Sequence, residues 1–436
     1  MLSRTSHRGM LLASATSLLL VATGTLAPQA VAKTAAPATR HVVFDQWDFG
    51  DGNPGGTYAG TSGDNGSLTL ANPAEQRSYD DPHDAVTAAT VYDEGSWVSP
   101  DVAPGFGLTE LVASWNAATP DGTWVEVSVQ GVADDGSTSK WYILGRWSED
   151  DTTFHPTSVP GQGDGLATVA IDTLVAQADR SLTSYHVKIS LLRKSGSTAS
   201  PQVDMVGAMA SRIPETKKLP ASPTSMTETK VLNVPTYSQE THVGHFPQWD
   251  GGGEAWCSPT ATSMVVAYWD AGPTAADYSW VFEEQPDETD PQVDYAARHT
   301  YDYNYDGAGN WPFNTAYAST FGLESFVTRL RNMTEAEQFI KAGIPLVVSA
   351  SFKKSQLDGA GYGTNGHLLT IVGFEADGDV VVNDPASHLI PDNDQVRVVY
   401  DREQFANAWI GQTGGITYVI HPEATPLPAA PGQANW

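Results

Sequence analysis

Apolar and polar positions follow two different periods along this chain. Between His41 and about Arg212 they alternate one by one. Val125, Val127 and Val129 alternate with Glu126 and Ser128, and Tyr185, Val187, Ile189 and Leu191 with His186, Lys188 and Ser190. Ala167, Val169 and Ile171 repeat the rhythm, which is that of a strand with one buried face. Turn-forming clusters such as Thr119-Pro120-Asp121-Gly122 and Asp134-Asp135-Gly136-Ser137 separate the runs. Many short strands without helices between them predict an all-β antiparallel sandwich over residues 41–213.

From Val231 the texture changes. Helices are predicted over 259–270, 291–299, 314–320 and 334–342, and strands over 344–351, 367–374, 379–384, 395–400 and 415–420. Helices followed by a run of strands predict an α+β domain over 231–422, its helices packed on an antiparallel sheet. Residues 214–230, with Pro214, Pro220, Pro223 and small polar residues, read as a linker. The Pro/Ala-rich stretch 423–436 is expected to be a loose tail.

Residues 1–32 have the layout of a secretory signal: Arg4 and Arg8, an apolar run from Met10 to Val21, then Ala30-Val31-Ala32. Removal near Ala32 leaves a short leader, 33–40, on a secreted, extracellular protein. No later stretch has the length of a membrane span. Without the two signal arginines the charge is 21 − 51 = −30, which argues against nucleic acid, whose affinity comes from neutralised phosphates. It leaves room for weak attraction to basic substrates. The chain is expected to be a monomer.

The predicted sandwich carries Trp47, Trp97, Trp115, Trp124, Trp141 and Trp147. Trp124 lies on the face opposite its valine neighbours and is a candidate for an exposed ring that stacks on a cell-wall or other glycan. The plainer expectation is that most of these rings fill the core.

Chemistry concentrates in the second half. Cys257 is the only cysteine among 436 residues, so no internal disulfide is available. Pro259 fits a first helical turn, Ala261, Met264, Val265 and Tyr268 follow at helical spacing, and Gly272-Pro273 ends the run. Cys257 is thus expected at a helix N-terminus, where unpaired N–H groups and the helix dipole favour a thiolate. A nucleophilic cysteine needs a base, a group that orients the base, and oxyanion donors. Of His242, His245, His299, His367 and His388, only His367 opens an apolar strand, directly after Asn365-Gly366. Seventeen residues on, Val380-Val381-Val382 leads to Asn383-Asp384-Pro385. Neighbours on a strand face opposite ways, so one of the two, chosen here as Asp384, meets the imidazole. Gln239, upstream of Trp256-Cys257, is placed to complete an oxyanion hole with the Cys257 N–H.

Gln239, Trp256-Cys257-Ser258-Pro259-Thr260, Gly366-His367 and Asn383-Asp384-Pro385 together resemble the papain-like cysteine peptidases of family 39-like type, relatives of the bacteriocin-leader peptidases. The resemblance covers about 231–422 and implies Cys257 as nucleophile, His367 as base and acid, Asp384 as orienter and Gln239 as oxyanion donor. Trp256, Asn365 and Gly366 are expected to lie along the bound substrate. Ser258 departs from the family's usual glycine, and no transporter spans follow, so a role in bacteriocin export does not carry over. The first half resembles the N-terminal region of secreted actinobacterial members.

Asp302, Asn304 and Asp306 with Gly307 match the first half of a calcium loop, but its twelfth position is Phe313 where a glutamate belongs. Calcium is therefore a weak candidate, and no other cofactor is expected. Serine-hydrolase elbow, zincin and Walker signatures are missing. The expected function is a secreted cysteine peptidase acting on peptide or protein substrates. Its rivals are a peptidoglycan amidase, endopeptidase or transacylase on the same triad, and an inactive glycan- or protein-binding protein.

Overall fold

The computed structural model describes residues 38–436 apart from 51, 64–65, 85–88, 216–218 and 220–221. The signal sequence and most of the leader lie outside the described residues. In the first half, the alternating runs form antiparallel sheets of five and six strands. The five-stranded sheet centres on Gln202–Arg212 and Glu110–Ala118, the six-stranded one on Leu182–Lys194 and Thr123–Ala133. Leu111, Ala113 and Val206 of one meet Val125, Val127 and Ile189 of the other in a shared core. Trp124 faces away from that core yet is fully buried, because Phe154 stacks on it at 4.4 Å and Tyr92 closes its edge. The exposed, glycan-stacking ring expected there is corrected accordingly: both faces of this strand are covered.

In the second half a seven-stranded antiparallel sheet runs Glu324–Arg329, Ile416–His421, Leu346–Phe352, Thr364–Phe374, Val380–Asn383, Arg397–Tyr400, with Lys230–Val231 also pairing to Thr364–Phe374. Helix Cys257–Tyr268 lies against Thr364–Phe374 on one side and helices Pro291–His299 and Trp311–Ser319 on others. It is buried all round from Ser258 to Val266, so its polar side chains need partners. Ser258 shares a hydrogen bond with Tyr418 (3.1 Å) and Thr262 donates to Asn314 Oδ1 (3.3 Å).

The two halves interpenetrate. Phe313 of helix Trp311–Ser319 enters the core of the first half, and Phe44 of strand His41–Asp48 stacks on Phe326 at 4.4 Å. Asn116 Nδ2 donates to the Ser325 carbonyl (2.8 Å), and the Val327 N–H to Ser114 Oγ (2.9 Å). The stretch after Pro422, expected to be loose, is instead held down. The Phe44 N–H donates to the Ala434 carbonyl, Asn435 is fully buried, and Trp436 packs edge-on against Phe339. Asn435 Nδ2 supplies the donor that the Arg329 carbonyl needs (2.7 Å), which fixes the stretch in place.

Candidate active site

Cys257 is the first residue of its helix. Trp256 before it offers no side-chain cap, so the leading N–H groups are left for another acceptor. The thiol is half-buried and opens onto a cleft of about 960 Å³ that also reaches Gln239, Asn365, Gly366 and His367.

Across the cleft, strand Thr364–Phe374 pairs with Val380–Asn383 so that Thr370 stands opposite Asn383. Asp384, one step further, falls on the side of the sheet that His367 faces. His367 Nε2 lies 2.9 Å from Asp384 Oδ1. Asn383 faces elsewhere, donating to the Pro235 carbonyl (2.9 Å) and accepting from Arg397 Nε (2.9 Å). With Nε2 engaged, Nδ1 is the imidazole atom left for Cys257, whose side chain lines the same cleft and is near enough to favour the charged imidazole. Burial opposes a charged imidazole, but the Asp384 carboxylate and then Cys257 outweigh it, and His367 is pushed up to about 10. Burial likewise opposes a charged Asp384, yet its pKa falls below the usual carboxylate value through His367, Tyr400 and Tyr362.

Those two tyrosines have no signal in the sequence. Tyr400 donates to Asp384 Oδ2 (2.7 Å), and Tyr362 reaches both carboxylate oxygens (3.0 and 2.9 Å). Their relation to Asp384 exists only once three strands are side by side.

Gln239 begins the short helical turn Gln239–His242. Its N–H donates to the Pro385 carbonyl (3.0 Å), and its Nε2 to the carbonyl of Glu254 (2.7 Å). The amide is thus fixed between the Asp384 and Cys257 loops, and among the described residues Nε2 donates to the Glu254 carbonyl alone. This approach depends on Gly253, where a Cβ would lie 2.2 Å from the His242 carbonyl carbon. Trp256 does not line the cleft. It is fully buried against Phe246 and Trp249, and its Nε1 donates to the Trp249 carbonyl (2.8 Å), so the substrate-contact role expected for it is corrected to one of packing.

The first half contributes a wall. Ile171 and Asp172, in the turn between strands Ala167–Ala170 and Thr173–Ala176, face the same cleft as Cys257. Asp172 Oδ2 accepts the Trp311 N–H (2.9 Å). Asp302 of the calcium-like segment is fully buried. Its Oδ1 accepts the N–H groups of Ser158, Asn304 and Tyr305 (2.9, 3.1 and 3.0 Å), and its Oδ2 accepts from Asn310 Nδ2 (2.9 Å). It thereby ties the halves together, while Asp306 accepts from the Tyr301 hydroxyl and Phe313 fills the first half's core.

Residues 231–416 match the Peptidase_C39 like family, and residues 40–211 match the Peptidase C39 N-terminal domain. The chain is a member of the C39-like peptidase family with that N-terminal domain. Cys257, His367 and Asp384 all fall within residues 231–416 of the first match. No curated protein sequence matches the chain. Solved structures with partial likeness include a κ-carrageenase from Pseudoalteromonas carrageenovora (10% identity, TM-score 0.22, 43% of this chain and 100% of that one). Another is infectious bursal disease virus (14% identity, TM-score 0.17, 44% and 36%). Similarity at that level is too slight to inform the fold or the chemistry. Among the described residues no helix is long and apolar enough to cross a membrane.

Proposed function

We propose that this protein is a secreted, papain-like cysteine peptidase. The observation that carries the reading is the His367 imidazole held between Asp384 and the Cys257 thiol at a helix N-terminus in an open cleft. The cysteine helix packed on an antiparallel sheet that delivers the base supports the papain-like assignment. In the reaction the Cys257 sulfur, its proton passed to His367 Nδ1, attacks the scissile carbonyl carbon. The oxyanion is received by the Cys257 N–H and the second N–H of Gln239 Nε2. His367 returns its proton to the leaving amine, and a thioester remains. Water then attacks that carbonyl, giving its proton to His367. Sulfur leaves as the acid product forms, and the thiolate–imidazolium pair is restored.

Glu240, Asp250 and Glu254 rim the cleft and favour peptides with Lys or Arg near the scissile bond. Burial, followed by the nearby Asp306, pushes Asp250 up to about 6, so it is still mostly charged at neutral pH. The test is cleavage of a fluorogenic peptide library and of casein, beside purified peptidoglycan, by the parent and by Cys257→Ala. Peptide cleavage that vanishes in Cys257→Ala is expected. Cleavage of peptidoglycan alone, or full activity in the variant, overturns the reading.

A further inference from the structure

Two of the candidate bases that the active site leaves unused, His242 and His245, gather at a second place. His242 closes the turn Gln239–His242, and the His245 N–H donates back to the His242 carbonyl (2.9 Å), which brings both imidazoles to one side. They face two carboxylates. His242 Nδ1 lies 3.0 Å from Asp294 Oδ2 and 3.8 Å from Glu288 Oε2. His245 Nδ1 lies 3.0 Å from Asp294 Oδ1 and 3.5 Å from Glu288 Oε2. All four groups offer a ligand atom within 4.8 Å of every other.

We propose that His242, His245, Glu288 and Asp294 form a structural zinc site. An Asp294 carboxylate shared by two imidazole N–H groups accounts for the 3.0 Å contacts. It does not account for Glu288, which faces both rings at distances too long for hydrogen bonds. A tetrahedral Zn²⁺ with bonds of about 2.0–2.1 Å holds its ligand atoms about 3.3 Å apart, within the 3.0–3.8 Å span of the imidazole–carboxylate separations here. Glu288 is also oriented from behind. Its Oε1 accepts the N–H groups of Thr289 (2.8 Å) and Asp290 (2.7 Å), which turns Oε2 inward, as the outer partners of a ligating carboxylate do. Two imidazoles and two carboxylates in this arrangement form a zinc donor set, not a calcium one. His242 and Asp294 are fully buried, while His245 is partly open and gives the ion a way in. The site would clamp the turn carrying Gln239 to helix Pro291–His299, and the His242 ring lies 6.1 Å from that of Trp256, next to the nucleophile. The ion would thus hold both the oxyanion donor and the cysteine loop without touching the substrate.

The experiment is done on full-length protein without a histidine tag, in a Cys257→Ser background so that the thiol and His367 together cannot take up metal. After chelation and dialysis it is titrated with Zn²⁺ by calorimetry and its melting midpoint is followed. One equivalent bound, a midpoint that rises with zinc, and binding at least about tenfold weaker in His245→Ala and in Glu288→Gln are expected. Absence of binding in the parent, or equal binding in the variants, overturns the proposal. If His245→Ala does not fold, the isosteric Glu288→Gln decides alone. The outcome is independent of peptidase activity.

Discussion

Four donors converge on the buried carboxylate of Asp384: His367 Nε2, the hydroxyls of Tyr362 and Tyr400, and the Ala386 N–H. That crowd keeps a carboxylate charged in a site where burial alone would neutralise it. The coupling sets a pH window. His367, lifted from an ordinary 6.5 to about 10, lends stability in full below about 6.5 and loses it as pH climbs through 10. Asp384, lowered from 3.8, lends stability above that value and loses it as pH falls through its depressed pKa. Peptide cleavage should therefore persist to near pH 10, where the imidazolium can no longer protonate the leaving amine. Asp384→Asn removes the strongest opposite charge, so its alkaline limb should move toward neutrality while kcat falls by about two to four orders of magnitude. A pH–rate profile of both proteins checks this, and an unmoved limb would count against Asp384 as the orienting group. At this scale Cys257 and His367 are legible in the sequence, one from a helix start and one from an apolar strand. Which of Asn383 and Asp384 faces the base is a matter of strand register, which sequence leaves open. Tyr362 and Tyr400 are invisible because only the folded sheet brings them near.

Local signals explain both successes and gaps among the elements. Helix Pro291–His299 was readable residue for residue from its proline and its amphipathic face. Helix Cys257–Tyr268 starts two residues before the predicted start at 259, because an uncapped Trp256 gives no entry signal. Strand Glu324–Arg329 was not anticipated. From Ser325 on it is buried on both faces, so no alternation marks it, and the first half covers it through Asn116 and Ser114. The turn at Ile171 was read only as part of an alternating run. In the structure Ile171 has φ 59°, is 39% exposed and faces the active cleft. A β-branched residue in the left-handed region is strained by about 1–2 kcal/mol, and an exposed isoleucine gains little burial in return. Its position fits a side chain kept for contact with substrate. Ile171→Gly relieves that strain but loosens the unfolded chain by about 0.5–1 kcal/mol, so stability should change by no more than about 1 kcal/mol. Steady-state kinetics should show KM for peptides raised about three- to tenfold with kcat nearly constant. An unchanged KM would leave the turn no part in binding.

Across the whole molecule the cores of the two halves are not separable. Val42, Phe44, Val112, Met205 and Met209 join the second half's core, and Phe313 and Ala316 join the first's. Alternation and helical periods predict each half but cannot register this exchange, since the residues that cross the boundary look like ordinary core residues of their own side. The last residues bind across the same seam. Gln433 Oε1 accepts the Val42 N–H (3.2 Å), and the Ala434 carbonyl accepts the Phe44 N–H (3.0 Å). Asn435 donates to the Arg329 carbonyl and to Glu335 Oε2 (2.7 and 3.1 Å), and its own carbonyl accepts from the Thr328 hydroxyl. Trp436 Nε1 donates to the Pro428 carbonyl (2.8 Å) while its ring lies against Phe339. Composition hides all of this, because the stretch reads as Pro, Ala and small polar residues. Asn435→Ala strands a buried carbonyl and should cost about 1–3 kcal/mol. Removing residues 433–436 also uncovers Phe339 and strand His41–Asp48 together, and should cost more. With both halves sharing a core, calorimetry of the full chain should show one cooperative transition. The truncated chain should melt several degrees lower, still in one step, and lose peptide cleavage in parallel with structure. Two separate transitions in the full chain, or a truncated chain that melts where the parent does, would show that the halves fold independently and that this terminus is no staple.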